Sequence, residues 1–399
     1  MLPSSFSERL TWFFGGLTII SIPLIPSWGF ISLLLLGLSG IADSVIHKRR
    51  PSLPWFLYML IAMYVVRVIW VLVADDRHRA LRSLETEGTI IAIPLVFAFL
   101  NVTREARNAA IWLYILMSTC VILFAFSRLY TDFTLSEKSL ADYMTNHFTN
   151  AKANTEAHMF NWRLAHYSFY SAMSIYGVHA VWAIRDSVTK TIIAIAFTLL
   201  AVTSIIVTGS QAGLALLLVG VASYLVFYIL KKLGVRSLFL TLAIGVVSGF
   251  LLLSFFYSSN RYHELDEQRN RLVEVALNAI KQHPWMGYGT GSGKSVMHDE
   301  NFEYHYTMVV NHPHNQYLSE LIQFGVIGSI PFFIFIGGGL WFSIRKKDLA
   351  LFCILAAASV FMLVESPLNS NKGEIPFLFA TCLLACTVRN QDVDDGSSH

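Results

Sequence analysis

Of the 399 residues, 55% are hydrophobic and only 14% charged, and the mean hydropathy is +0.55. A soluble chain carries about 25% charged residues, so there is too little charge here to cover several soluble domains, and much of the surface must face lipid. Ordinary Gly and Pro content and four Cys exclude a collagen, a disordered chain and a small disulfide scaffold, while the net charge of +3 says little until its placement is known.

A membrane-crossing helix needs about 20 mostly apolar residues. In chain order the candidates are 11–26, 28–46, 53–74, 87–101 and 109–128, then 164–184, 190–208, 211–230 and 237–256, and finally 317–343, 349–365 and 375–388. The expectation is an all-α, polytopic integral membrane protein of about 12 transmembrane helices, with a large outer loop region of short helices. Segment 11–26 has no small-residue cleavage site after it and reads as a retained helix rather than a signal peptide.

The short basic loops set the orientation. Lys48-Arg49-Arg50, Arg104 with Arg107, Arg185 with Lys190, Lys231-Lys232 with Arg236, and Arg345-Lys346-Lys347 share one side, which is expected to be cytoplasmic together with both termini. The organisation expected is helices one to nine in 1–256 with an outer loop at about 129–163, a second outer loop at 257–316 carrying the chemistry, and helices ten to twelve plus a cytoplasmic tail in 317–399. Arg67 falls within the third span, where a charge is either functional or snorkels to the interface. Cys120, Cys353, Cys382 and Cys386 all fall in spans and read as buried small residues without a disulfide.

The first outer loop is polar with interleaved aromatics, a mix suited to the membrane interface. In the second, 267–281 reads as a helix with Val273, Leu277 and Ile280 on one face and Arg271, Glu274, Asn278 and Lys281 on another. The glycines from Gly287 to Gly293 then break it. Gly289-Thr290-Gly291-Ser292-Gly293-Lys294-Ser295 looks like a P-loop, but the required Gly four residues before Gly-Lys is Tyr288 and no parallel-sheet pattern surrounds it, so it reads as a turn.

The second loop also carries six of the thirteen histidines: His263, His283, His298, His305, His312 and His314. Histidine titrates near neutral pH and can take a proton from a hydroxyl. His314 stands out because it sits where the loop re-enters the membrane. Metal binding with Asp299, Glu300 or Glu303 is the competing use, but the spacings match no compact zinc pattern. Outer arginines Arg163, Arg261, Arg269 and Arg271 form the third set, since guanidinium pairs bidentately with phosphate and stays charged. Together these residues suit a lipid-linked anionic substrate whose phosphates are held by Arg while His deprotonates an incoming hydroxyl.

Three stretches carry a resemblance to the O-antigen ligase / O-antigen polymerase family of membrane glycosyltransferases. Thr208-Gly209-Ser210-Gln211-Ala212-Gly213-Leu214 is similar to the family's Thr-x-Ser-Arg-Gly segment. Arg271, Ala276-Leu277 and His283-Pro284-Trp285-Met286-Gly287-Tyr288-Gly289 resemble its Arg…Trp…Ala-Leu…Pro-Leu-x-Gly-x-Gly segment. His314-Asn315-Gln316-Tyr317-Leu318 with Gly325-Val326-Ile327-Gly328 resembles its His-Asn-x-x-Leu…Gly-x-x-Gly segment, the most specific of the three. Two positions depart from the pattern: Gln211 stands where the family usually has Arg, and Glu274 where it often has Trp.

The resemblance implies a bacterial inner-membrane enzyme with a periplasmic active site and a large periplasmic loop region. As a ligase it would move O-antigen polysaccharide from undecaprenyl pyrophosphate to a hydroxyl of the lipid A–core, inverting the anomeric carbon, with no metal or other cofactor. The partners implied are the lipid-linked glycan, the lipid A–core acceptor and membrane lipids, with no nucleic acid. By position, His314 becomes the general base, with His312 as an alternative. Arg271 grips the pyrophosphate, Asn315 orients His314, and Arg163, Arg261 or Arg269 replaces the arginine missing at Gln211. A polymerase or a protein O-oligosaccharyltransferase of the same family, and a membrane transporter, are the competing readings.

Overall fold

The computed structural model describes residues 6–24, 26–135, 188–207, 216–220, 222–223, 263–303, 313–363, 365–369 and 371–396. Among them only helices, turns and irregular backbone occur, and three helices are long and apolar enough to cross a membrane: Gly29–Ile46, Arg104–Phe124 and Gln316–Arg345. Shorter apolar helices lie at Trp55–Trp70, Leu349–Phe361 and Glu374–Thr387. All six coincide with expected spans. The expected spans 164–184 and 237–256, most of 211–230 and the loop residues 136–163 lie outside the described residues.

The chain divides into two compact units. Unit 1 comprises 1–54, 95–217 and 375–399. It holds α1 (Phe6–Leu24), α2 (Pro26–Ile46), α6 (Arg104–Leu135) and α7 (Val188–Val207), together with parts of α5 (Thr89–Phe99) and α12 (Asn371–Gly396). Two polar contacts fix α1 and α2 as an antiparallel hairpin. Ser7 at the start of α1 donates to Asp43 at the end of α2 (2.7 Å), and Ser21 meets Ser32 (3.0 Å) at the other end. Asp43 also pairs with Arg49, which folds the basic Lys48-Arg49-Arg50 turn back onto α2. The 32-residue α6 runs to Leu135, so 129–135, expected at the start of the first outer loop, complete a helix instead.

Unit 2 comprises 55–94 and 218–374. Its centre is α10 (Gln316–Arg345), against which α3 (Tyr58–Trp70), α8 (His263–Gln282), α9 (Gly293–Glu303) and α11 (Leu349–Phe361) pack. Small residues on α10 let α3 approach closely: Gly328 faces Trp70, while Gly338 and Gly339 face Trp55 and Phe56. The short α4 (Arg77–Thr86) follows α3 and is capped by Asp76, whose carboxylate accepts from the Arg79 N–H at 2.9 Å.

α8 buries a different face from the one its largest residues suggest. Val275, Ala276 and Ala279 are buried with Met297 and Ile322, and Leu272 and Ile280 pack beside them. Val273 and Leu277 are instead 37% and 44% exposed. The alanines decide the packing face because they let the helix come close to α10.

Candidate active site and the loop that frames it

α10 is broken at Gly325, whose backbone is not helical (φ 59°, ψ −169°). The break frees carbonyls before it and amides after it, and a buried helix cannot leave such groups unpaired. The loop 284–290 supplies the partners. Tyr288 N–H donates to Ile322 O (3.0 Å) and Gly289 N–H to Gln323 O (2.8 Å), while Pro284 O and Trp285 O accept from Val326 N–H (2.9 Å) and Ile327 N–H (3.2 Å). The Trp70 indole closes the arrangement by donating to Met286 O at 2.6 Å. Gly289 has φ +93°, and a Cβ there would stand 2.5 Å from Ala74 Cα, so only glycine fits.

Beneath this loop lies a buried charge cluster. Arg67 is 2% exposed, donates from Nε to Glu87 (2.6 Å) and from Nη2 to Glu320 (2.7 Å), and sits 4.8 Å above the Phe324 ring. It therefore neither snorkels nor lines an open pathway; it ties α3, the end of α4 and α10 together. Gln316 extends the network, donating to Glu320 (2.9 Å) and Asn369 (3.3 Å) and accepting from the Leu368 N–H (3.0 Å). The Thr290 hydroxyl donates to Arg67 O at 2.6 Å, anchoring the glycine loop to the same cluster.

His314 stands at the mouth of α10 with a positive φ of 46°. Such a conformation is uncommon for a side-chain-bearing residue and clusters at functional positions. Its Nδ1 lies 3.5 Å from Glu365 Oε2 across the turn that follows α11, and the side chain is 42% exposed. With Nδ1 facing a carboxylate, Nε2 is the nitrogen left to take a proton. Glu365 was missed from the sequence because it lies 51 residues away with no motif linking the two. Asn315 caps α10, accepting the Leu318 N–H at 3.1 Å.

Arg271 is half-buried on α8. Arg269 lies on the same helix, with nothing described of its side chain; Arg163, Gln211, Arg261 and His312 are outside the described residues. His283 packs edge-on against Tyr288 with centroids 4.4 Å apart, which gives it a structural use. Among the described residues no group of three or more His, Cys, Asp or Glu side chains converges as a metal site requires.

A cavity of about 710 Å³ opens beside the network. Arg79 and Arg82 from α4 and Lys294 from α9 line it, over a floor of Ser319, Gln323 and Asn369. Arg79 and Arg82 do not stand out in the sequence because the connection 75–86 is short and its charges balance. The available signal was the Asp76 cap followed by two arginines three apart, which a helix places on one face.

Among the described residues these features define an all-helical fold with apolar, membrane-length segments and an ionisable site at the mouth of a kinked helix. Residues 196–333 match the family model described as O-Antigen ligase, about a third of the chain. The match includes all three stretches of the sequence resemblance and supports the O-antigen ligase family, with a ligase- or polymerase-type glycosyltransferase function in general. No curated protein gives a match.

Proposed function

We propose that this chain is an O-antigen ligase of the bacterial inner membrane, crossing it about twelve times, with both termini cytoplasmic and its active site periplasmic. The observation that carries this reading is the family match over 196–333, with His314 and Glu365 paired where α10 begins. The substrates are undecaprenyl-pyrophosphate-linked polysaccharide and the lipid A–core. His314 Nε2 takes the proton of the acceptor hydroxyl, the hydroxyl oxygen forms a bond to the anomeric carbon, and the bond from that carbon to the pyrophosphate oxygen breaks. The pyrophosphate leaves with the electron pair, its charge met by Arg271 and an outer arginine from Arg163, Arg261 or Arg269. Glu365 holds the imidazole orientation and stabilises its protonated form. No metal takes part, so a chelator leaves transfer unchanged; inhibition reversed by a divalent ion would overturn that point.

The test is to give the purified protein lipid-linked glycan and rough lipopolysaccharide. A higher-mass lipopolysaccharide is the expected product. Longer lipid-linked glycan, with lipopolysaccharide unchanged, would replace the ligase by a polymerase.

A further inference from the structure

The cavity between α4 and α9 has a chemistry of its own. Arg82 and Lys294 are exposed and have no acidic partner among the described residues, while Arg79 has only Asp76, 3.8 Å away at a half-exposed position. The one deeply buried carboxylate at the wall, Glu87, is already used: one oxygen accepts from Arg67 and the other from Ser83 at 2.8 Å. Asp299 is exposed, 3.4 Å from His298, and is the one other carboxylate of the lining, against three cationic side chains. Positive charge is thus left over on two sides of the opening.

Apart from Gly291 and Gly293, the remaining lining is hydroxyl and amide: Ser83, Thr86, Ser295, Ser319, Gln323 and Asn369. The lining includes no Leu, Ile, Val, Met, Phe, Tyr or Trp. Guanidinium and ammonium groups match phosphate oxygens, and hydroxyl and amide groups match sugar hydroxyls. A volume of about 710 Å³ lies within the roughly 300–1,000 Å³ of small-molecule sites.

The floor also leads to the catalytic end of α10. Asn369 Nδ2 donates to Ser319 Oγ at 2.8 Å, and the Ser319 N–H donates to Asn315 O at 3.0 Å, one turn from His314. A ligand seated on this floor is held at the same end of α10 as the proposed base.

We propose that this cavity binds a phosphorylated saccharide, with Arg82 and Lys294 on the phosphate and the Ser319–Gln323–Asn369 floor on the sugar hydroxyls. The phosphate belongs either to the lipid-linked donor or to a phosphate-bearing sugar of the acceptor. Assigning it to one of these rests on the ligase reading; the binding itself does not.

The first test uses the full chain in lipid nanodiscs, titrated calorimetrically with glucose 1-phosphate and with glucose. Wild type and Arg77→Ala, an exposed change on α4 outside the cavity, are expected to bind glucose 1-phosphate alike. The double variant Arg82→Ala/Lys294→Ala is expected to bind it at least tenfold more weakly while keeping the wild-type melting temperature. Undiminished binding by the double variant, or equal binding of glucose, overturns the proposal. The second test measures transfer by the double variant at varied donor and at varied acceptor, the latter with and without phosphatase treatment. A raised KM for donor assigns the phosphate to the donor. A raised KM for intact acceptor, matched in wild type by removing the acceptor's phosphates, assigns it to the acceptor. Both KM values unchanged would overturn the proposal. The binding titration needs no transfer, so loss of the ligase reading and loss of this one give different results.

Discussion

At the scale of single residues, Arg67 and His314 are held in opposite ways. Arg67 is fixed from every side, and removing it leaves Glu87 and Glu320 buried without a counter-charge. Arg67→Ala is expected to lower stability by about 3–5 kcal/mol, read as a fall in melting temperature in detergent. Adding Glu87→Gln and Glu320→Gln is expected to recover much of the loss, because the unpaired charges go with them. His314 is half-exposed with one carboxylate partner, and His314→Ala is expected to lower transfer by about 100-fold or more with membrane insertion and melting temperature unchanged. Glu365→Gln is expected to give a smaller loss, in kcat rather than KM. Arg271→Ala is expected to raise the KM for lipid-linked glycan, and an unchanged KM would remove Arg271 from the pyrophosphate. The sequence marked His314 as a candidate because histidine chemistry coincides there with the start of an apolar helix. Arg67's partners were not legible, since they stand 20 and 253 residues away and nothing local marks them.

At the scale of elements, the glycines of the matched segment act as steric fits around the break in α10. Gly289→Ala and Gly325→Ala each force a side chain into a left-handed backbone against a neighbouring main chain, and each is expected to lower stability by about 1–3 kcal/mol, measured by thermal melting. The cap of α4 adds a pH dependence with a definite sign. Its N–H partner holds the Asp76 carboxyl below the usual carboxylate range, so the cap is fully present above about pH 4 and is lost as pH falls through the lowered value. The melting-temperature gap between wild type and Asp76→Ala is therefore expected to be constant near neutrality and to close in acid. Helix existence was readable from apolar runs, and the break after α8 from its glycines. The buried face of α8 was not, because Val273 and Leu277 outweigh Ala276 and Ala279 in hydrophobicity while the alanines make the close packing.

At the scale of the whole molecule, the scarcity of charge that marks a membrane protein also concentrates meaning in the charges that remain. Basic turns gather on the expected cytoplasmic side, while the connections expected outside carry nearly balanced charge, which favours individually placed cations over a general basic surface. The cavity beside α4 shows why balance hid a site: Asp75, Asp76 and Glu85 cancel the arginines of 75–86 in the count, yet Asp76 caps a helix. The clamp on α10 has a further consequence for kinetics. The amide protons of Val326 and Ile327 are held by Pro284 O and Trp285 O and lose those acceptors when the loop undocks. In deuterated solvent their exchange clocks the undocking of the loop, separately from the opening of the bundle around it. A substrate that seats against the loop will slow these two amides before it changes the rest of α10.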